Sequence, residues 1–351
     1  MKDDLVHGEL SDVGSVRSEN QDRCGVSEEV DGAEGARRGR LFVVCDGMGG
    51  HNGGSIASAT AVEALLEAWR KAEGGGVRRR LANSIETANA EVRRKAAQDV
   101  TLRNMGTTLV AVALAGSRAQ VAHVGDSRCY LLRDGKAELL TRDHTYLNEL
   151  VDVGLLTPEQ ARQHPDRNII TRCIGVGDGL QVDFRTVPLR EGDRFLLCTD
   201  GLYNYVDADE LVREAARHEP GEAAKRLVDL ANRRGGEDNI TCLIVRVNRV
   251  PQAPESPEDD DTSPAAAQPA PTTLTPDPFA VTPTTATAAL GARPEAPSPR
   301  KGPDVGRELT EMRERTAPAP APRRRAASHY LLWLLILAAA GWVGWLILQV
   351  L

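Results

Sequence analysis

The sequence predicts an α+β layered domain with antiparallel sheets across residues 1–250, a disordered linker across 251–327 and one transmembrane helix across 328–351. Three observations carry this. Strand-like apolar runs arrive in consecutive pairs with long helical patterns between the groups, which suits antiparallel hairpins better than a doubly wound parallel sheet. Proline is crowded toward the end: only Pro158, Pro165, Pro188 and Pro220 of the 20 prolines precede residue 250. Residues 330–351 carry no charged side chain and are dominated by Leu, Ile, Val, Ala and Trp.

Taken in order, β-type runs occupy residues 41–45, 107–115, 119–124, 129–132, 137–140, 195–198 and 240–247. Asp134-Gly135 separates two of them, and Asp-Gly supplies the positive φ angles that a tight hairpin needs. Ile56, Ala59, Leu66 and Trp69 mark an apolar face on a first helix, and Leu81, Ile85, Ala88 and Val92 mark one on a second. Further helices are expected at 145–153, 207–217 and 220–233. No internal repeat is present.

From 251 to 327 the only Leu, Val or Phe residues are Leu274, Phe279, Val281, Leu290, Val305 and Leu309, among Pro, Ala, Thr and the acidic run of Glu258, Asp259, Asp260 and Asp261. That is too little apolar surface to offset the entropy of ordering, hence a tether, and a flexible chain of this length reaches roughly 50 Å root-mean-square. The segment after it is long enough to cross the ~30 Å hydrocarbon core as a helix. Trp333, Trp342 and Trp345 add interfacial character, and Arg323, Arg324 and Arg325 precede the span. By the positive-inside rule those arginines keep their side in the cytoplasm. The expectation is a single-pass protein of the cell membrane with its folded domain in the cytoplasm. The polar opening, Met-Lys-Asp-Asp-Leu-Val-His, is unlike a secretory signal.

A formal net charge of −7 argues against a nucleic-acid partner, which usually meets a basic face. The six cysteines are widely separated and form no C-x-x-C pair, and several, such as Cys45 and Cys198, sit in apolar runs, so buried inert thiols are expected.

Two apolar strands end alike, in Cys45-Asp46-Gly47-Met48-Gly49-Gly50-His51 and in Cys198-Thr199-Asp200-Gly201. A third acidic turn, Glu237-Asp238-Asn239, precedes the strand at 240–247. Carboxylates on rigid strand ends, beside glycines that admit the backbone, suit a hard cation. A single Asp-Gly is an ordinary turn; three acidic strand ends in one chain point further.

With Arg17-Ser-Glu-Asn-Gln-Asp22, Met105-Gly-Thr-Thr108, Val124-Gly-Asp126-Ser-Arg128 and Asn239-Ile-Thr241, these motifs resemble, in order, those of the metal-dependent protein phosphatases (PPM, the type 2C serine/threonine phosphatases) in their bacterial form. The resemblance covers about residues 7–249. It implies an αββα sandwich of two antiparallel sheets flanked by helices. It also implies two Mn²⁺ or Mg²⁺ ions, bridged by Asp46, with the Gly47 carbonyl serving one and Asp200 and Asp238 the other. Asp22 would hold metal-bound waters or ligate through one. Two ions ~3.5–4 Å apart lower the pKa of a water that attacks phosphorus in line. Arg17 would clamp the phosphate through its guanidinium fork, its alternative being a surface arginine. Asp126 matches a position that holds a third metal with Asp200; the competing role is structural, capping the turn and pairing with Arg128.

Met48 stands where many eukaryotic relatives carry a histidine that is a candidate general acid. His51 is the nearest imidazole, with either a catalytic role or a packing role at the start of the next helix, and a metal-bound water is the other acid. Gln21 replaces a possible carboxylate. Residues 143–179 match in position a flap beside the active site, expected to contact the phosphoprotein. The implied function is hydrolysis of phosphoserine and phosphothreonine in proteins, with a membrane-anchored Ser/Thr kinase as the natural counterpart. The rival is an inactive phosphatase fold used as a binding module, which loss of an acidic ligand would favour; Asp22, Asp46, Asp126, Asp200 and Asp238 are all present.

Overall fold

The computed structural model describes residues 4–29, 35, 37–49, 52–177 and 179–250. The expected linker and transmembrane helix lie outside the described residues. Among those described, no helix is long and apolar enough to cross a membrane.

In chain order the strands are β1 (Leu5–Asp12), β2 (Asp22–Val26), β3 (Arg40–Met48), β4 (Gly106–Thr107), β5 (Leu109–Ala115), β6 (Arg118–Val124), β7 (Arg128–Arg133), β8 (Lys136–Leu139), β9 (Asp183–Pro188), β10 (Arg194–Cys198) and β11 (Ile240–Val247). The helices are α1 (Gly53–Lys71), α2 (Val77–Gln98), α3 (Tyr146–Asp152), α4 (Pro158–Gln163), α5 (Asp200–Tyr203), α6 (Ala208–Arg217) and α7 (Pro220–Arg233). One sheet runs β1-β11-β10-β7-β8 and the other β2-β3-β5-β6-β9, with β4 paired to β3. Every pairing is antiparallel.

Strand parity builds the layers. Successive side chains point to opposite faces of a sheet, so one continuous apolar run serves two cores. On β3, Leu41, Val43 and Cys45 pack with α1 and α2 residues, including Leu65, Trp69, Leu81 and Ile85. The alternate Phe42 and Val44 face a second core between the sheets, shared with Phe195, Leu197, Leu243 and Val245. On β10 and β11 the remaining set, Leu196, Cys198, Cys242 and Ile244, packs with Leu211, Leu227 and Val228 of α6 and α7. Three cores between four layers make the expected αββα sandwich.

Local chemistry fixes several boundaries. Asp134 and Gly135 both have positive φ, +52° and +72°, as the tight β7–β8 turn requires. A capping box between Asp207 and Glu210 starts α6, and one between Thr157 and Gln160 starts α4.

Two expectations need correction. The apolar face of α1 is rotated from the one read in the sequence: Trp69 is buried as expected, but Ala57, Ala61 and Leu65 are fully buried, whereas Ile56, Ala59 and Leu66 lie at its border. Small alanines fill the centre because the helix lies close on β2 and β3. Strands β1, β2 and β9 were absent from the expected set. Each is a sheet edge, half exposed, and carries charged or polar residues that hide the period of two. Four of the thiols, Cys45, Cys129, Cys198 and Cys242, are buried as expected, whereas Cys24 and Cys173 are half-buried; burial pushes Cys24 up to about 11 and Cys198 up to about 12.

Candidate metal centre

Asp22 opens β2 and Asp46 lies near the end of β3, and the two are register partners across the ladder. The Asp46 backbone is held by the next strand pair: its N–H donates to Thr108 Oγ1 at 2.9 Å, and its carbonyl accepts from Thr108 N–H and Thr107 Oγ1, both at 2.8 Å. Asp22 is fully buried. Its Oδ2 accepts from the hydroxyls of Thr199 at 2.9 Å and Thr241 at 2.7 Å, each one or a few residues from Asp200 or Asp238. Asp22 therefore ties the edge of one sheet to the ends of β10 and β11 in the other.

The acidic turn before β11 is anchored by Asn239. Its amide donates to the carbonyls of Val13 and Glu19, both at 2.9 Å, and its Oδ1 accepts from the Gln21 N–H at 2.8 Å. Asp238 accepts from the Asn239 N–H and, through Oδ2, from Arg17 at 2.8 Å. Arg17 thus stands at the rim of the cluster, its side chain 55% exposed.

Glycine makes the close approach possible at the end of β3. A Cβ on Gly47 would lie 2.1 Å from the Gly54 carbonyl oxygen and 2.6 Å from that of Gln21. The first turn of α1 can sit against the Gly47 backbone only because neither position has a side chain.

The carboxylates resist ionisation together. Burial, then the charges of Asp22, Asp200, Asp126 and Asp238, push Asp46 well above the usual carboxylate range. Asp22 is pushed up to about 7 by burial, against the pull of the two threonine hydroxyls. Asp126 reaches about 7 through burial and the neighbouring Asp200 and Asp143, and Asp200 about 6 through burial and Asp238. Like charges gathered out of water call for a compensating cation. Two further details fit one. Asp22 Oδ1 and Asp200 Oδ1 are buried and accept no hydrogen bond, and the donor set is all oxygen.

The structure thus brings Asp22, Asp46, Gly47, Asp126, Asp200, Asp238 and Arg17 into one region. His51 lies outside the described residues. The structural alternative for Asp126 gains a second carboxylate: Arg128 holds Asp143 as a bidentate partner, at 2.8 Å through Nη2, its guanidinium lies 3.6 Å from the Tyr203 ring centroid, and its charge also favours the ionised form of Asp126. Residues that sequence reasoning passed over are Thr199, Thr241, Asn239 and Asp143. The first three stand inside motifs already recognised for their acids, so a hydroxyl or amide next to each Asp was the available signal. Asp143 had none.

A protein-family model for protein phosphatase 2C matches residues 15–233. The chain belongs to the protein phosphatase 2C family. Among curated protein phosphatase 2C relatives it is 41% identical over 244 residues to the protein phosphatase PhpP of Streptococcus pneumoniae, covering 68% of this chain and 96% of that one. It is 38% identical over 244 residues to the serine/threonine protein phosphatase PstP of Mycobacterium tuberculosis, covering 69% of this chain but only 45% of PstP. The chain thus spans less than half the length of that relative. The solved catalytic domain of PstP, in complex with two manganese ions, is 36% identical, with a TM-score of 0.60 over 70% of this chain and 99% of that domain.

Proposed function

We propose that this chain is a serine/threonine phosphoprotein phosphatase with a binuclear Mn²⁺ or Mg²⁺ centre, tethered to the cell membrane with its catalytic domain in the cytoplasm. The observation that carries the catalytic part is the convergence of Asp22, Asp46, Asp126, Asp200 and Asp238 in one cluster whose buried members resist ionisation. Family membership and the names of the relatives support it.

Asp46, Asp200, Asp238 and the Gly47 carbonyl would hold the ions, with Asp22 as an outer or water-mediated ligand and Asp126 as a ligand to a weaker third site. When bound, such ions supply a water activated for attack at phosphorus and neutralise developing negative charge. The chain's own residues do the rest. Thr199 and Thr241 hold Asp22 by occupying its Oδ2, which leaves the buried Oδ1 without a hydrogen bond and available to a ligand. Thr107 and Thr108 fix the backbone that presents Asp46. Arg17, held beside Asp238, is positioned to engage the phosphoryl oxygens of a substrate.

The tether rests on the sequence alone, on the uncharged run at 330–351 and the three arginines before it. Confinement to a membrane favours substrates handled by a Ser/Thr kinase on the same membrane. The detergent-solubilised chain should release phosphate from a phosphothreonine peptide with Mn²⁺ present; no release over a range of such peptides contradicts the assignment. Deleting residues 328–351 should move the protein from the membrane fraction to the soluble one, and retention on membranes refutes the tether.

A further inference from the structure

His123 and His144 are both buried, 5% exposed each, and no step proposed above uses them. Their rings stack with centroids 4.6 Å apart and an interplanar angle of 19°. With Asp183 they are residue types that ligate metals, and their donor atoms gather within 4.8 Å of one another. The hydrogen bonds assign them another use. The Gly125 N–H donates to His144 Nδ1 at 3.1 Å. That lone pair is taken, so in the neutral ring the proton sits on Nε2. Nε2 faces Asp183 Oδ2 at 3.4 Å and lies equally far from Arg172 Nη1, which donates instead to Asp183 Oδ1 at 3.1 Å, so the carboxylate sits between the two donors. A ligating imidazole needs a free lone pair with a hydrogen-bond acceptor behind its other nitrogen; His144 has a donor there.

What His144 does instead follows from where its bonds run. Its N–H donates to the Gly125 carbonyl at 2.9 Å, so side chain and backbone grip Gly125 from both sides. Gly125 precedes Asp126, and its φ of +101° belongs to a turn pressed on Thr108, whose side chain a Cβ at 125 would meet at 2.7 Å. Thr108 Oγ1 in turn bonds Ser127 Oγ at 2.7 Å and accepts the Asp46 N–H. On its other side His144 roots the segment 145–171. Its carbonyl accepts from the Thr171 N–H at 2.9 Å, and Tyr146 N–H donates to the Ile169 carbonyl at 2.9 Å. Val153, Leu155 and Ile169 of that segment are exposed, at 70%, 56% and 49%. A contiguous chain of bonds therefore runs from a segment with exposed apolar side chains to Asp126 and Asp46.

We propose that His144 is a positioning residue with two separable jobs: Nδ1 holds the Gly125–Asp126 turn against the carboxylate cluster, and Nε2, through Asp183 and Arg172, holds the segment 145–171 where a phosphoprotein meets it. A small phosphate ester needs only the first job, and a phosphopeptide needs both. The proposal rests on the phosphatase assignment of the cluster.

Asparagine can place an acceptor near the Nδ1 position and glutamine a donor near Nε2, so H144N keeps the first job and H144Q the second; Asp183→Asn, at a half-exposed site, weakens the second without touching Gly125. The full chain with Mn²⁺ is assayed on para-nitrophenyl phosphate and on a phosphothreonine peptide. H144N and D183N should raise KM for the peptide about fivefold or more, with kcat on the small ester within about twofold of wild type, while H144Q lowers kcat on both substrates about tenfold. Equal losses in all three variants on both substrates, or no change in any, overturn the proposal. Amide hydrogen exchange separates it from the activity itself. H144Q should speed exchange at Gly125, and H144N at Thr171, even if the wild-type chain turned over neither substrate; unchanged exchange at both overturns the coupling.

Discussion

Asp22 on β2 lies directly across the antiparallel ladder from Asp46 on β3. Like charges directly opposite destabilise a strand pair, and here Asp22 is fully buried as well. Removing one charge should therefore separate function from stability. Asp46→Asn is expected to lower turnover of a phosphothreonine peptide on the order of a hundredfold or more and to raise the melting temperature of the chelated protein. Steady-state assays and thermal denaturation in EDTA check the two halves; near-normal turnover would refute the proposed metal-holding role of Asp46.

The same repulsion sets a pH dependence. Asp22 sits at about 7 and Asp200 at about 6 in the fold, above the ~3.9 of an unfolded aspartate. A raised carboxylate favours the protonated folded state, so its stabilising contribution is full below about pH 4 and is lost as pH rises through about 6 to 7. A cation held by these carboxylates would take the place of the protons and offset that loss. The rise in melting temperature given by Mn²⁺ over EDTA should therefore grow from about pH 5 to about pH 8. A constant difference across that range would mean that the carboxylates are not the ion's ligands.

Gly47→Ala introduces a Cβ 2.1 Å from the Gly54 carbonyl oxygen, so α1 must shift from the end of β3. We expect a loss of about 1–3 kcal/mol of stability together with weaker Mn²⁺ binding. Gly221→Ala in the first turn of α7 is the control, because its Cβ meets nothing within 4 Å and alanine is the better helix former. Denaturant melts of both variants make the comparison. Equal stability of the two would show that the close approach at Gly47 is not needed.

Much of this was legible in the sequence because the central strands are buried on both faces and so read as unbroken apolar runs, as at residues 41–45 and 195–198. The edge strands β1, β2 and β9 were not, since a half-exposed edge tolerates residues such as Glu9, Arg23 and Arg185 that blur alternation. The acidic site residues were legible from strand-end aspartates followed by glycine. The pairing of Arg128 with Asp143 was not, for it joins positions 15 residues apart that only the fold brings together. Nor was the stacking of His123 on His144, which depends on how the loop after β8 returns to the end of β6.

Arg17 donates to Asp238 at the exposed rim of the cluster. A lysine there keeps the charge but loses the planar fork. Arg17→Lys should raise KM for a phosphothreonine peptide about tenfold, with a smaller fall in kcat. An unchanged KM would return Arg17 to an ordinary surface role.

The central claim is that this carboxylate cluster exists to hold catalytic cations. Titrating the chelator-stripped chain with Mn²⁺ in a calorimeter, while following phosphothreonine-peptide turnover, tests it most directly. Two ions should bind tightly per chain, apart from any weaker third site at Asp126, turnover should rise with their occupancy, and D46N should lose both. Turnover that persists in excess chelator, or a D46N protein that keeps both ions and full activity, would contradict it.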